Sequence, residues 1–373
     1  MGAFNTHGPA TLGEYRREFK APSFYYGNAC SALKDFLAAH RDRAEPGRTT
    51  VLVPAYICAN VVSALYAIDL TVEFYPVGED CRVDPSDVDR LCGTSTLAVL
   101  WVHFFGTTTE LSGLREIVEG RGALLIEDCA HVIAGRAGDS TAGTMGHAAV
   151  FSLWKTLQSA DGALLVLNRG CLESFVPRYT ATSGEHRAIL AITARVLKRG
   201  VEVLAARPLP RPFTEPTPPF AINVASTREE GISAISRSSR IWLERQDLVR
   251  ILRTRRRNFQ EWTARLQLFP TLSPLFTYLE SGWVPFSFPV RVRGRDRLRS
   301  FLWRNGVPCG AGFPEASFAD DQNGALSLAA SILELPVHQS FTPRAMNYAC
   351  ALLRRWELQH PGSEKRTASE ESP

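Results

Sequence analysis

The stretch ALLIEDCAHVIAG (123–135), with GTMGHAAVFSLWKTLQSADGALLVLN (143–168) a few residues on, decides how the chain reads. It holds three apolar runs at strand length, ALLIED (123–128), AAVFS (148–152) and ALLVLN (163–168). Asp128 closes the first run, Ser152 the second, and Lys155 follows in the turn beyond. In an open α/β sheet, ligands gather at the carboxyl ends of the strands. An aspartate at one strand end and a lysine past another then face one small molecule between them. Pyridoxal phosphate needs such a pair, a lysine for the Schiff base and an acid for the pyridinium nitrogen.

Working outward, strand and helix alternate. TVLVPAY (50–56), TVEFYPV (71–77) and LAVLWVH (97–103) read as strands; VVSALYAI (61–68), DPSDVDRL (84–91) and ELSGLREIVEG (110–120) read as helices between them. That spacing is the pattern of βαβ units and a parallel sheet with helices on both faces. Gly27 and Asn28 precede a helix carrying Leu33, Phe36 and Leu37 on one face. Beyond residue 168 the pattern changes to a long helical stretch (186–206) and a proline-rich connection (207–219). A strongly basic helix is expected from about Ser233 to Leu266. WVPFSFPVRV (283–292) and ELPVH (334–338) then read as strands, RDRLRSFLWRNG (295–306) and TPRAMNYACALLRRW (342–356) as helices. The division expected is an N-terminal arm (1–23), a large α/β domain with a mostly parallel central sheet (24–245), a small C-terminal α/β domain (246–360) and a disordered tail (361–373).

Composition sets the limits. A 373-residue chain with 45% hydrophobic and 21% charged residues is ordinary for a soluble globular protein with a large core. A net charge of +4 is too mild to imply nucleic acid, and in RILRTRRRNF (250–259) Arg250, Arg253 and Arg257 share one helix face that reads as solvated or in contact with an acidic partner. The cysteines are scattered without a CxxC pair, which suits reduced thiols and a cytoplasmic protein. The N-terminus lacks an apolar signal core, and no run is long enough to span a bilayer. No cysteine–histidine spacing fits a zinc site, so no metal is expected.

For the candidate residues, two readings compete. Lys155 as a turn lysine would be unremarkable, but between two buried strands and just after a serine it suits a carbonyl-binding amine that later shuttles a proton. Asp128 could cap the helix-like CAHVIAG instead of holding the pyridine nitrogen. A phosphate needs free amides at a helix start, which Cys30 and Ser31 in GNACSAL supply, with the Ser152 hydroxyl as a second donor.

These residues and their order resemble the DegT/DnrJ/StrS family of sugar aminotransferases, over roughly residues 24 to 355. ACSAL (29–33) looks like the family's SGTxAL phosphate cup, VHFFG (102–106) like VHxYG, and LLIEDCAH (124–131) like VIEDAAQ. GTMGHAAVFSL is similar to GxxGDxxxFSF, ADGALLVLN to GEGGxxxT, and ELPVHQSFTPRAMNYACALL (334–353) to the closing LPLYPxLTxxEVxxVxxxL. The resemblance implies the aspartate-aminotransferase architecture of fold type I and pyridoxal 5'-phosphate as cofactor. It implies Lys155 as the Schiff-base lysine, Asp128 at the pyridinium, Ser152 with the Cys30 and Ser31 amides at the phosphate, and His131 in the family's glutamine position. Tyr56 would lie against the cofactor ring, although that match is ambiguous by one residue. His131 and His103 also admit a purely structural reading. A homodimer with shared active sites, an amino-acid donor (L-glutamate) and a keto-sugar acceptor complete what the resemblance implies.

The departures concern the acceptor. Only Leu153 and Trp154 separate Ser152 from Lys155, where the family has four residues, and SLWK is in that respect similar to the SxHK turn of class V aminotransferases and desulfurases. The NxRM segment has no counterpart beyond Asn223, and VPCGAGFPEASFADDQ (307–322) replaces the HYPxPLH loop. Two rivals follow: a lyase or desulfurase-like enzyme using Cys309, or a related tailoring enzyme acting on a non-sugar metabolite, and a catalytically silent regulatory homologue.

Overall fold

The computed structural model describes residues 10–157, 159–168, 174–182, 184–186, 188–190, 193, 231–314 and 324–360. Most of the expected helix over 186–206, and all of the proline-rich connection, Asn223 and the tail from residue 361, lie outside them.

The strands of the first half are β1 (Ser23–Tyr26), β2 (Thr50–Pro54), β3 (Thr71–Tyr75), β4 (Thr96–Val102), β5 (Leu124–Asp128), the small hairpin β6 (Arg136–Ala137) and β7 (Ser140–Thr141), β8 (Ala148–Phe151) and β9 (Ala163–Leu167). Seven of them form one sheet in the order β1-β9-β8-β5-β4-β2-β3. The segment β8-β5-β4-β2-β3 is parallel throughout, while β9 runs antiparallel to both its neighbours. Strands β2, β4, β8 and β9 are buried along their whole length, as continuous apolar runs covered on both faces must be. The edge strand β3 alternates exposed and buried residues instead.

Helix α2 (Ala29–Arg41) starts at Asn28, whose side chain accepts the Ser31 amide, and buries Leu33, Phe36 and Leu37. Helices α3 (Ala59–Tyr66), α4 (Pro85–Leu91) and α5 (Ser112–Gly120) follow strands β2, β3 and β4 as expected. Part of the expected N-terminal arm is a helix, α1 (Leu12–Glu18), whose Leu12 and Tyr15 join Phe151 and Leu164 in one apolar core.

The basic segment departs from its reading as a single helix. Ser233 and Ala234 form a strand against Ala181–Thr182, and two helices follow, Arg237–Glu244 and Leu248–Leu266. The break falls at Asp247, whose carboxylate accepts the Arg250 amide at 2.9 Å and starts the second helix afresh. That second helix joins two cores. Leu248, Ile251 and Leu252 pack with Tyr15 and Phe151, whereas Phe259, Trp262 and Leu266 pack with Phe288 and Leu353. The latter core belongs to an antiparallel sheet of Ser273–Pro274, Phe288–Arg291 and Ile332–Leu335, flanked by helices Arg295–Arg304 and Pro343–Gln359.

Candidate active site

The parallel register brings the expected residues to one sheet edge. Asp128 pairs with Val102 on one side and Val150 on the other, so Ser152 lies just past the same edge. The chain then enters the short helix α6 (Leu153–Leu157), which carries Lys155. Lys155 Nζ comes to 3.4 Å from His131 Nε2. Asp128 Oδ1 accepts the Ala130 amide at 2.8 Å, and its other oxygen has no donor among the described residues. Burial pushes the Asp128 carboxyl up from its usual range, while the Lys155 charge and the Ala130 amide pull it back.

His131 stacks on Phe286 at 4.2 Å with the rings 2° from parallel, and Phe313 and Phe105 lie at 5.5 and 6.2 Å. Burial, and then the Lys155 charge, hold the imidazole well below its ordinary pKa, so the ring is neutral at neutral pH. Facing an ammonium, Nε2 is the accepting nitrogen and Nδ1 carries the proton. Nδ1 is buried and has no hydrogen-bond partner among the described residues. A buried donor left unmet is a vacancy for an acceptor on a ligand.

The expected phosphate end is assembled in part. Ser152 is buried, and its hydroxyl makes no hydrogen bond among the described residues. Cys30 lies on the first turn of α2, its Sγ 3.6 Å from Asn60 O, and burial pushes its thiol up to about 12, so the side chain is an inert neutral group. The Gly162 amide donates to Gly27 O at 2.7 Å and ties the Lys155 turn to the start of α2. Gly162 adopts φ +129°, and a Cβ there would meet Leu243 at 2.8 Å, so the turn requires glycine.

Two of the expected residues already have partners within the protein. Ser31 is not free: its amide donates to Asn28 Oδ1 at 2.8 Å, and its hydroxyl lies 3.2 Å from the Ser233 hydroxyl. Asn28 is a strong capping residue, and the cap takes the amide that a phosphate would use. Tyr56 does not present a ring face. It is fully buried against Phe104, Phe105 and Phe313, and its hydroxyl accepts the Phe313 amide at 3.2 Å.

The sequence reading passed over Glu127. Its carboxylate accepts the amides of Gly143, Met145 and Gly146 at 2.7–2.8 Å, and His103 Nε2 lies 3.0 Å away. This pins the glycine turn before β8 and thereby the register that delivers Ser152 and Lys155. Cys129 lies close enough for a three-ligand cluster with His103 and Glu127, but the Glu127 oxygens are already saturated by these donors. The pairing of an acid at a strand end with a glycine-rich turn sixteen residues on was the signal available. Glu127→Ala strands three buried amides, and we expect a loss on the order of 3 kcal/mol in a urea titration. A wild-type midpoint would contradict that role. An open groove of about 710 Å³ between Pro76–Asp87 and Gly324 contains none of these residues.

Residues 15–187 match the family model described as the DegT/DnrJ/EryC1/StrS aminotransferase family. The GDP-perosamine synthase of Vibrio cholerae is 31% identical over 121 residues, 32% of this chain and 33% of that protein. The dTDP-3-amino-3,4,6-trideoxy-alpha-D-glucose transaminase of Micromonospora megalomicea is 36% identical over 93 residues, 24% of this chain and 25% of that one. The chain thus spans a third and a quarter of the length of these two relatives. Among solved structures, the aminotransferase TlmJ from Streptoalloteichus hindustanus aligns with a TM-score of 0.66 and 20% identity, over 94% of this chain and 92% of that one. Helicobacter pylori PseC, an aminotransferase involved in pseudoaminic acid biosynthesis, gives 0.64 and 12%, over 94% and 91%. At such identities the structures speak for the fold, the α/β architecture of fold type I that the motifs led us to expect. Over residues 15–187, just under half of its length, the chain is thus similar to the DegT/DnrJ/EryC1/StrS aminotransferase family.

Proposed function

We propose that the protein is a pyridoxal-phosphate-dependent aminotransferase that moves an amino group from an amino acid, L-glutamate as the expected donor, to a keto group on a sugar or sugar-like acceptor. The observation that carries the reading is Lys155 Nζ set 3.4 Å from a neutral histidine, beside the partly satisfied carboxylate of Asp128. The unmet His131 Nδ1 and the unbonded Ser152 hydroxyl are a donor set that fits the cofactor. Lys155 would hold it through its amine, Asp128 at the ring nitrogen, His131 at a ring oxygen, and Ser152 with the start of α2 at the phosphate. When bound, the group supplies an electron sink for the α-carbon of an amino acid. Around it, Asp128 keeps a negative charge facing the ring nitrogen. The Lys155 amine takes and returns a proton at Nζ, and neutral His131 accepts from that same atom. Phe286, Phe313 and Phe105 exclude water from the imidazole.

The named relatives act on nucleotide-linked sugars, which supports a sugar-like acceptor here. A homodimer with shared sites belongs to the same reading. Trp154, next to Lys155 and 44% exposed, offers apolar surface beside the site for a second copy. The division into domains 24–245 and 246–360 remains our proposal, with the helix Leu248–Leu266 as the shared strut. No helix among the described residues is long and apolar enough to cross a membrane, and a cytoplasmic setting fits the scattered free cysteines. A desulfurase is disfavoured, because Cys309 is buried and its thiol is pushed up to about 12.

Titrating the purified holoprotein with L-glutamate while recording its absorbance tests the proposal. The expected result is a yellow band that gives way to a shorter-wavelength one. A yellow band indifferent to every amino acid would remove the transaminase reading, and failure to take up the cofactor would remove the site.

A further inference from the structure

Arg255 lies in the middle of the helix Leu248–Leu266 and is 1% exposed. Its partners are all neutral. Nη1 donates to Phe286 O at 2.9 Å and Pro285 O at 3.2 Å, Nη2 to Thr156 O at 3.3 Å, and Nε to Gln339 Oε1 at 3.2 Å. Gln339 Nε2 also donates to Thr156 O, at 3.0 Å. No ion pair to Arg255 occurs among the described residues. A buried guanidinium without a counterion is costly, since its desolvation is offset only by carbonyl dipoles. Burial lowers its pKa to about 10, which leaves it charged at neutral pH.

The carbonyls it holds are not arbitrary. Thr156 is the residue after Lys155, in a helix of five residues whose last carbonyls have no helical donors. Phe286 is the ring stacked on His131, and its amide donates to Phe105 O at 2.8 Å. One planar fork therefore grips two segments, each a single step from the Lys155–His131 contact. Its five donors in fixed directions suit that task, where an ammonium would not.

We propose that Arg255, assisted by Gln339, is a positioning residue of this site, holding the Lys155 turn and the Phe286 wall at the spacing that sets Lys155 Nζ against His131 Nε2. The idea rests on Lys155 as the reactive amine, but it concerns geometry already present without cofactor. The charged group against the His131 ring is the Lys155 ammonium, and the other faces of the ring are aromatic.

The test compares wild type with Arg255→Met, Arg255→Lys and Gln339→Leu. The first readout is the ¹⁵N-histidine spectrum of the apoprotein between pH 5 and 8, with the His131 ring signals assigned through His131→Gln. In Arg255→Met the ring signals should shift and begin to titrate within that range, as Phe286 leaves the ring. The second readout is glutamate half-reaction kinetics of the holoprotein. There the rate should fall at least tenfold with the half-saturating glutamate concentration within threefold, and Arg255→Lys should recover only part of it. Gln339→Leu should show both effects more weakly, and it decides the matter if Arg255→Met does not fold. Folded variants with wild-type His131 signals and rates within twofold would overturn the proposal. If wild type itself lacks the half-reaction, the proposed function fails, while the apoprotein spectra still decide the role of Arg255.

Discussion

Lys155→Ala should give a folded protein that still takes up the cofactor and has lost turnover by at least ~10³-fold, the scale of positioned proton transfer and covalent participation together. Little in the fold depends on the side chain. It is partly exposed, and among the described residues its side chain has one polar contact, the 3.4 Å approach to His131. Surface substitutions of that kind stay within about 0.5 kcal/mol, so the melting temperature should hardly move. The Ser152 hydroxyl, the start of α2 and the Asp128 carboxylate remain, and on the proposed reading these would keep the cofactor in place by non-covalent contacts. Loss of the ammonium also removes one of the two causes that keep His131 neutral, so the imidazole pKa should rise. Single-turnover absorbance with L-glutamate, alongside a thermal melt and cofactor retention on gel filtration, separates these effects. A Lys155→Ala protein that turns over at a wild-type rate would remove Lys155 from the mechanism.

The placement of the candidate residues was legible where local pattern and chemistry coincide. ALLIED and AAVFS are largely apolar because their strands are covered on both faces, and their polar ends, Asp128 and Ser152, mark the carboxyl ends of the strands. Lys155 could be read from its place between β8 and β9. Contacts distant in sequence were not legible. Periodicity says nothing about Thr156 O meeting Arg255, 99 residues away: the face read from Arg250, Arg253 and Arg257 is exposed, whereas Arg255 on the other side of the helix is buried. The basic helix was read as unbroken because helix-forming residues continue through Arg245 and Gln246. Only the Asp247 carboxylate, by capping the Arg250 amide, makes the restart more favourable than continuation. At Ser31 and Tyr56 the sequence left out something shared by both. A motif position gives the place of a residue, whereas a competing partner, Asn28 in one case and the Phe313 amide in the other, decides what its polar atoms are free to do.

Asp128→Asn should separate stability from function in opposite directions. The asparagine can still accept the Ala130 amide at Oδ1, so the local turn is retained. It carries no charge, however, and cannot hold a proton at a ring nitrogen facing it. Removing one preorganised electrostatic partner from a water-excluded site commonly costs ~10²–10³ in rate, and that loss is expected in the glutamate half-reaction. The apoprotein should respond the other way. Burial raises the folded-state pKa of Asp128, so the folded state binds this proton more tightly than the unfolded state does. Stability from this group is therefore greatest at acid pH and falls as pH rises through the unfolded and then the folded pKa, which leaves the full penalty in place at neutral pH. Asparagine abolishes that penalty, and the Asp128→Asn apoprotein should be more stable at pH 7 by on the order of 1 kcal/mol, in keeping with the usual trade between a functional site and stability. The advantage should shrink as pH falls and wild-type Asp128 takes up its proton. Urea unfolding of both apoproteins at pH 4.5 and 7.5 checks the sign. A variant less stable than wild type at pH 7.5 would mean that Lys155 stabilises the Asp128 carboxylate more than burial penalises it, and that the pair already acts as an ion pair before any cofactor arrives.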